Sequence, residues 1–162
     1  MLLGIVSDTH GHLPNTRDAV RVLESLEVDT VIHCGDIGSV DVIPLFSAWP
    51  THYVFGNVDH QVQPLEAAIQ GQRQHVLHYR FGSLSLHARK IAFLHGDEPR
   101  TLRDTIDSGR WDLVCCGHTH VAQVRRVDNT LVVNPGAIYR ARPHSLAVVN
   151  LTDMDVTQVP LP

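Results

Sequence analysis

Seven side chains with metal-ligating chemistry fall in five short clusters along the chain: Asp8 with His10, Asp36, Asn57, His95, and His118 with His120. One residue separates Asp8 from His10, so a carboxylate and an imidazole from one loop can reach the same ion. Asp36 and Asn57 each follow a glycine, and His95 precedes one; a missing side chain lets backbone approach a centre closely. Gly117-His118-Thr119-His120 offers two imidazoles from one tight turn. The donors are oxygen and nitrogen without thiolate, which suits manganese, iron, zinc or nickel better than copper(I) or calcium. A carboxylate can bridge two cations, and two ions roughly 3.5–4 Å apart serve in-line displacement at phosphorus. The chemistry these residues could perform is therefore hydrolysis of a phosphoester.

Such clusters need rigid elements behind them, and each follows a short apolar run that reads as a β-strand. In open α/β sheets the loops after the carboxyl ends of strands converge to form the site. Leu2 to Ser7 is almost continuously apolar, as for a strand buried on both faces. After Pro14, an early-helix signal, Ala19, Val20, Leu23 and Leu26 recur at helical spacing. Thr30 to Cys34 and His52 to Phe55 predict further strands, with a helix over Val40 to Ala48 between them, giving a β-α-β-α-β order and a mostly parallel sheet. Residues 61–74, glutamine-rich and broken by Pro64 and Gly71, read as a weak pattern with one or two helical turns over Leu65 to Ile69. Val76 to Phe81 and Leu84 to His87 predict a hairpin around Gly82 and Ser83. Ile91 to Leu94 and Leu113 to Cys116 read as strands, with a helix over Thr101 to Ser108 between them. Val121 to Val127, Leu131 to Asn134, Ser145 to Leu151 and Val156 to Val159 complete an antiparallel second half. The sum is an α/β sandwich.

At 162 residues, 43% of them hydrophobic, the chain fits one globular domain spanning 1–162. A net charge of -4 argues against stable nucleic-acid binding, which draws on a basic face, but allows a nucleotide-sized substrate. No apolar run reaches the ~20 residues of a membrane span, and the start lacks a charged leader, so a cytoplasmic protein is expected. Cys34, Cys115 and Cys116 lie in or at the end of apolar runs and lack the paired spacing of a zinc-thiolate site. Of the 12 histidines, His52, His75, His78, His87 and His144 lie outside the clusters and are expected to be bland.

Taken together, the segments Ser7-Asp8-Thr9-His10, His33-Cys34-Gly35-Asp36, Phe55-Gly56-Asn57-Val58-Asp59, His95-Gly96-Asp97 and Gly117-His118-Thr119-His120 resemble, in order and spacing, the signature of the calcineurin-like metallophosphoesterase superfamily. The opening Gly-Ile-Val-Ser-Asp-Thr-His-Gly and the late Asn134-Pro135-Gly136-Ala137 are similar to its small bacterial and archaeal phosphodiesterases, related also to the phosphoesterase-like subunit of retromer. The resemblance implies two packed mixed β-sheets flanked by helices in four layers. It implies one divalent ion held by Asp8, His10 and His120, a second held by Asn57, His95 and His118, and Asp36 bridging them, with manganese the first choice of metal. It further implies a hydroxide shared by the two ions as the attacking group, catalysis resting on Asp36, Asn57, His95 and His118, and a small phosphodiester as substrate. Self-association to a homodimer or homotetramer follows by the same analogy.

One position departs from the pattern. Many larger relatives carry histidine immediately after the Gly-Asn asparagine, and this chain has Val58, which neither donates nor accepts a proton. His60 is the nearest replacement, and Asp59 is expected to support the loop by hydrogen bonding. A phosphomonoesterase needs the same ions and is the nearest enzymatic alternative. A scaffold of the retromer type, or a regulatory metal-binding protein, is the alternative of a different class; decayed ligands would mark the scaffold, and here every ligand position is filled.

Overall fold

The computed structural model describes residues 1–162. β1 (Leu2–Val6), β2 (Thr30–His33), β3 (Thr51–Tyr53) and β4 (His75–Leu77) run parallel side by side, and β10 (Ser145–Asn150) and β11 (Asp155–Pro160) add antiparallel strands beyond β1. The second sheet has the order β5 (Phe81–Leu86), β6 (Arg89–Leu94), β7 (Leu113–Cys115), β9 (Thr130–Asn134), β8 (Gln123–Val127). β6, β7 and β9 are mutually parallel, so the second half is mixed rather than wholly antiparallel.

Alternation along the strands explains the layering. Leu3 and Ile5 of β1, Ile32 of β2, Phe93 of β6, and Leu113 and Cys115 of β7 fill the space between the sheets. The opposite face of the first sheet, with Val6, Val31 and Tyr53, packs on α1 (Leu13–Ser25), a 3₁₀ helix (Val40–Phe46) and α2 (Val62–Gln70) through Leu23, Phe46 and Ile69. The opposite face of the second sheet, with Ala92 and Val114, packs on α3 (Pro99–Asp107) through Ile106. Helix, sheet, sheet, helix is the four-layer order expected. Each fully buried Leu or Ile in these layers contributes roughly 1.5–3 kcal/mol.

Three elements differ from expectation. The helix over Val40 to Ala48 is a 3₁₀ helix, because Pro44 lies inside it and has no N–H to continue an α-helical ladder. Residues 61–74 carry a full α-helix, α2. The hairpin turns at His87 and Ala88, both with positive φ, and pairs Phe81–Leu86 with Arg89–Leu94; β4 belongs to the other sheet. Gly82 is not a turn residue: a Cβ there would overlap the Phe93 ring, so it is glycine to admit that ring against the strand.

Candidate metal centre

All five clusters sit at carboxyl ends of strands, but the strands come from two sheets. β1, β2 and β3 carry Asp8, His10, Asp36 and Asn57, and β6 and β7 carry His95, His118 and His120. Backbone hydrogen bonds lace the loops together: Asp8 N donates to Gly35 O (3.0 Å), His10 N to Asp36 O (2.9 Å) and Gly117 N to His95 O (2.8 Å). Two glycines make the close approach possible. A Cβ on Gly56 would overlap Asp36 Oδ1, and one on Gly117 would overlap Ser7 Oγ. Five of the seven candidate ligands, Asp8, His10, Asp36, His118 and His120, have positive φ, between 45° and 68°. Non-glycine residues rarely adopt this conformation, and it gathers where a site is held against local preference.

Two groups of donor atoms converge. In the first, Asp8 Oδ1 lies 3.1 Å from His120 Nε2 and 3.8 Å from His10 Nε2, and the two ε nitrogens lie 3.3 Å apart. His120 Nδ1 faces Arg140 O at 3.1 Å, so its proton goes to that carbonyl and Nε2 presents a lone pair. Asp8 is fully buried and its Oδ1 has no hydrogen-bond partner. A buried carboxylate oxygen left without a donor is costly, and a cation at the common focus removes that cost.

In the second group, His95 Nε2 lies 3.3 Å from Asp36 Oδ1 and 3.2 Å from Asn57 Oδ1, and His95 Nδ1 bonds Cys34 O at 2.8 Å. Burial raises the pKa of Asp36, yet the hydrogen bond and charge of His95, aided by the Val58 N–H, bring it below the usual carboxylate range. Burial lowers the pKa of His95, and Asp36 more than reverses it. A proton at Nε2 is the smallest cation that fits this focus, and a metal ion would displace it. The other oxygen of Asp36, Oδ2, lies 3.7 Å from His10 Nε2, so one carboxylate spans both groups. The donors thus fit divalent cations.

The grouping differs from the two triads in two respects. Asp8 also lies within the cluster formed with Asp36 and His95. His118 stands apart: its exposed ring rests edge-on to His95 with centroids 5.1 Å apart, while its backbone N–H donates to Asp8 Oδ2 at 3.1 Å.

Supporting residues hold the loops. Asp59, buried as a loop support should be, accepts from Gly56 N (2.8 Å), Ile37 N (3.2 Å) and Gly38 N (2.9 Å), tying the Asn57 loop to the Asp36 loop. Three others have roles that sequence reasoning missed. Fully buried His33 accepts from Gly35 N at 3.2 Å and meets Thr9 Oγ1 at 3.0 Å; burial lowers its pKa to about 3, keeping it neutral. Asn134 donates to Gly117 O (2.8 Å) and Thr119 Oγ1 (3.1 Å), fixing the two-histidine turn. Arg80 donates to Phe55 O (3.3 Å), Asp97 (2.6 Å) and Glu98 (3.1 Å), joining loops of the two sheets. His33 and Asn134 stand inside the quoted motifs, the one available signal; nothing in the sequence marks Arg80. His60 is exposed beside Asn57, lining a cleft of about 500 Å³.

Comparison with known proteins agrees with this geometry. The family model of the calcineurin-like phosphoesterase superfamily domain matches residues 1–155. A phosphodiesterase of Methanocaldococcus jannaschii is 37% identical over 138 residues, covering 84% of this chain and 83% of that protein. A structure described as a novel archaeal phosphodiesterase superposes with a TM-score of 0.92 at 32% identity, over 99% of this chain and 100% of that one. Vacuolar Protein Sorting 29 from Cryptosporidium parvum shares the fold, with a TM-score of 0.67 at 18% identity over 98% of this chain and 95% of that one. The chain belongs to the calcineurin-like phosphoesterase superfamily. It is a metal-dependent phosphoesterase acting on a phosphoester substrate, and no helix is long and apolar enough to cross a membrane.

Proposed function

We propose that this chain is a phosphodiesterase that hydrolyses a small diester at two divalent ions, manganese being the native metal. The observation that carries the reading is Asp36, whose two oxygens face His95 on one side and His10 on the other. Asp8, His10 and His120 would hold one ion, Asn57, His95 and His118 the other, and Asp36 both. Divalent cations held there supply a nucleophile at neutral pH and offset charge on the phosphoryl group. The residues do the positioning. Arg140 O and Cys34 O orient His120 and His95, and Asp59 and Asn134 hold the loops so that little rearrangement is left for the reaction. The 37% identity to a protein named as a phosphodiesterase supports the diester over the monoester. A nucleotide substrate, cytoplasmic location and assembly as a homodimer or homotetramer belong to the same reading.

The test strips the protein with chelator and returns manganese, nickel, zinc or magnesium singly, then compares a bis-aryl phosphodiester with an aryl phosphomonoester. Manganese should restore the greatest diester turnover, and Asp36→Asn and His118→Ala should abolish it. Metal binding without turnover of either ester would favour a regulatory or scaffold role instead.

A further inference from the structure

A second cleft, of about 390 Å³, opens where the metal centre meets α3, bounded on the centre's side by Gly96 and His118. That volume lies in the ~300–1,000 Å³ range of small-molecule sites. Its apolar wall is Leu102 and Ile106 of α3 with Val127 of β8. Arg103 and Arg125 also line it, both exposed and neither in an ion pair. Asp107 is the single carboxylate there. The cleft beside Asn57 is the opposite case: its one arginine, Arg80, is committed to Asp97 and Glu98, and Asp59 and Asp97 both line it. Of the clefts that border the candidate metal centre, only the one at α3 offers an unpaired arginine beside an apolar wall.

We propose that the α3 cleft receives one ester group of the substrate, and that this group is a flat apolar ring carrying a negative charge of its own. The ring would lie on Leu102, Ile106 and Val127 while the charge reaches Arg103 or Arg125, whose planar guanidinium groups suit a carboxylate or phosphate. The proposal rests on the phosphodiesterase reading for its reaction, but not for its binding.

Three diesters sharing a p-nitrophenyl leaving group test it, the other ester being methyl, phenyl or 4-carboxyphenyl. In the manganese-loaded wild type, KM should fall in that order. R103E/R125E should raise KM for the carboxyphenyl ester about tenfold more than it raises KM for the methyl ester, which feels only the changed field around the centre. A second readout needs no turnover: 4-phosphonobenzoate, titrated against the protein, should shift the methyl NMR signals of Leu102, Ile106 and Val127, and less so in R103E/R125E. Equal changes on all three esters, or unmoved methyl signals, would overturn the proposal. Shifted methyls with no hydrolysis of any ester would support the binding site while overturning the reaction it was joined to.

Discussion

Val58 is where this chain parts from the pattern its other motifs keep. It follows the candidate ligand Asn57, is half-buried, and spends its backbone N–H on Asp36 Oδ1 at 3.1 Å. Its side chain can offer no proton to a departing alkoxide, whereas an aryl leaving group departs as a stable phenolate. We expect bis-aryl diesters to turn over much faster than dialkyl ones. Val58→His should narrow the gap, by about 10²-fold if the imidazole acts as a general acid; the measurement is the ratio of kcat/KM on the two esters. His60 is the competing donor, and His60→Ala should leave that ratio unchanged.

The loops carry the precision of the site. Asp59 anchors two of them with three hydrogen bonds from backbone N–H groups; burial raises its pKa against the pull of those bonds, and a proton on either oxygen would cost the bonds that oxygen accepts. Asp59→Asn should weaken metal affinity by about 10–100-fold with little change in fold, read by metal titration alongside far-UV circular dichroism. Gly56→Ala should be worse, since the added methyl overlaps Asp36 Oδ1 itself. These supports also show how much could be read in advance. The strand-loop-helix order and the seven candidate ligands were legible, because strands buried on both faces leave continuous apolar runs and the candidates repeat at their ends. Gly82 misled because glycine has two uses, turning a chain and admitting a neighbour, and only Phe93, eleven residues on, tells them apart. Arg80 was invisible because its meaning lies in partners 17 and 18 residues ahead, in the loop after β6, and in Phe55 O, 25 residues back beyond a strand of the other sheet.

At the scale of the molecule, buried neutral histidines set the response to acid. Burial lowers the pKa of His33 to about 3 and of His52 to about 4, the latter with help from His78, whose ring nitrogen meets it at 3.1 Å. The unfolded chain takes up these protons near the ordinary value of 6.5, so below that pH it binds more protons than the folded one. Stability should therefore fall as pH drops from about 6.5 towards 4, by at most about 1.4 kcal/mol per pH unit for each proton. Urea unfolding of chelator-treated protein across that range measures the slope, and His52→Gln should make it shallower.

The left-handed backbone at five candidate ligand positions means that the site is held at some expense to the fold, each such residue costing roughly 1–3 kcal/mol. Glycine relaxes this conformation, so His118→Gly, whose ring is exposed and whose N–H to Asp8 survives the change, should destroy activity. The same substitution should raise the melting temperature of the chelator-treated protein by about 2 °C. Catalysis and folding therefore pull in opposite directions at this turn. Any lineage no longer selected for hydrolysis would drift downhill into inactivity, keeping the sandwich and shedding the ligands one relaxed turn at a time.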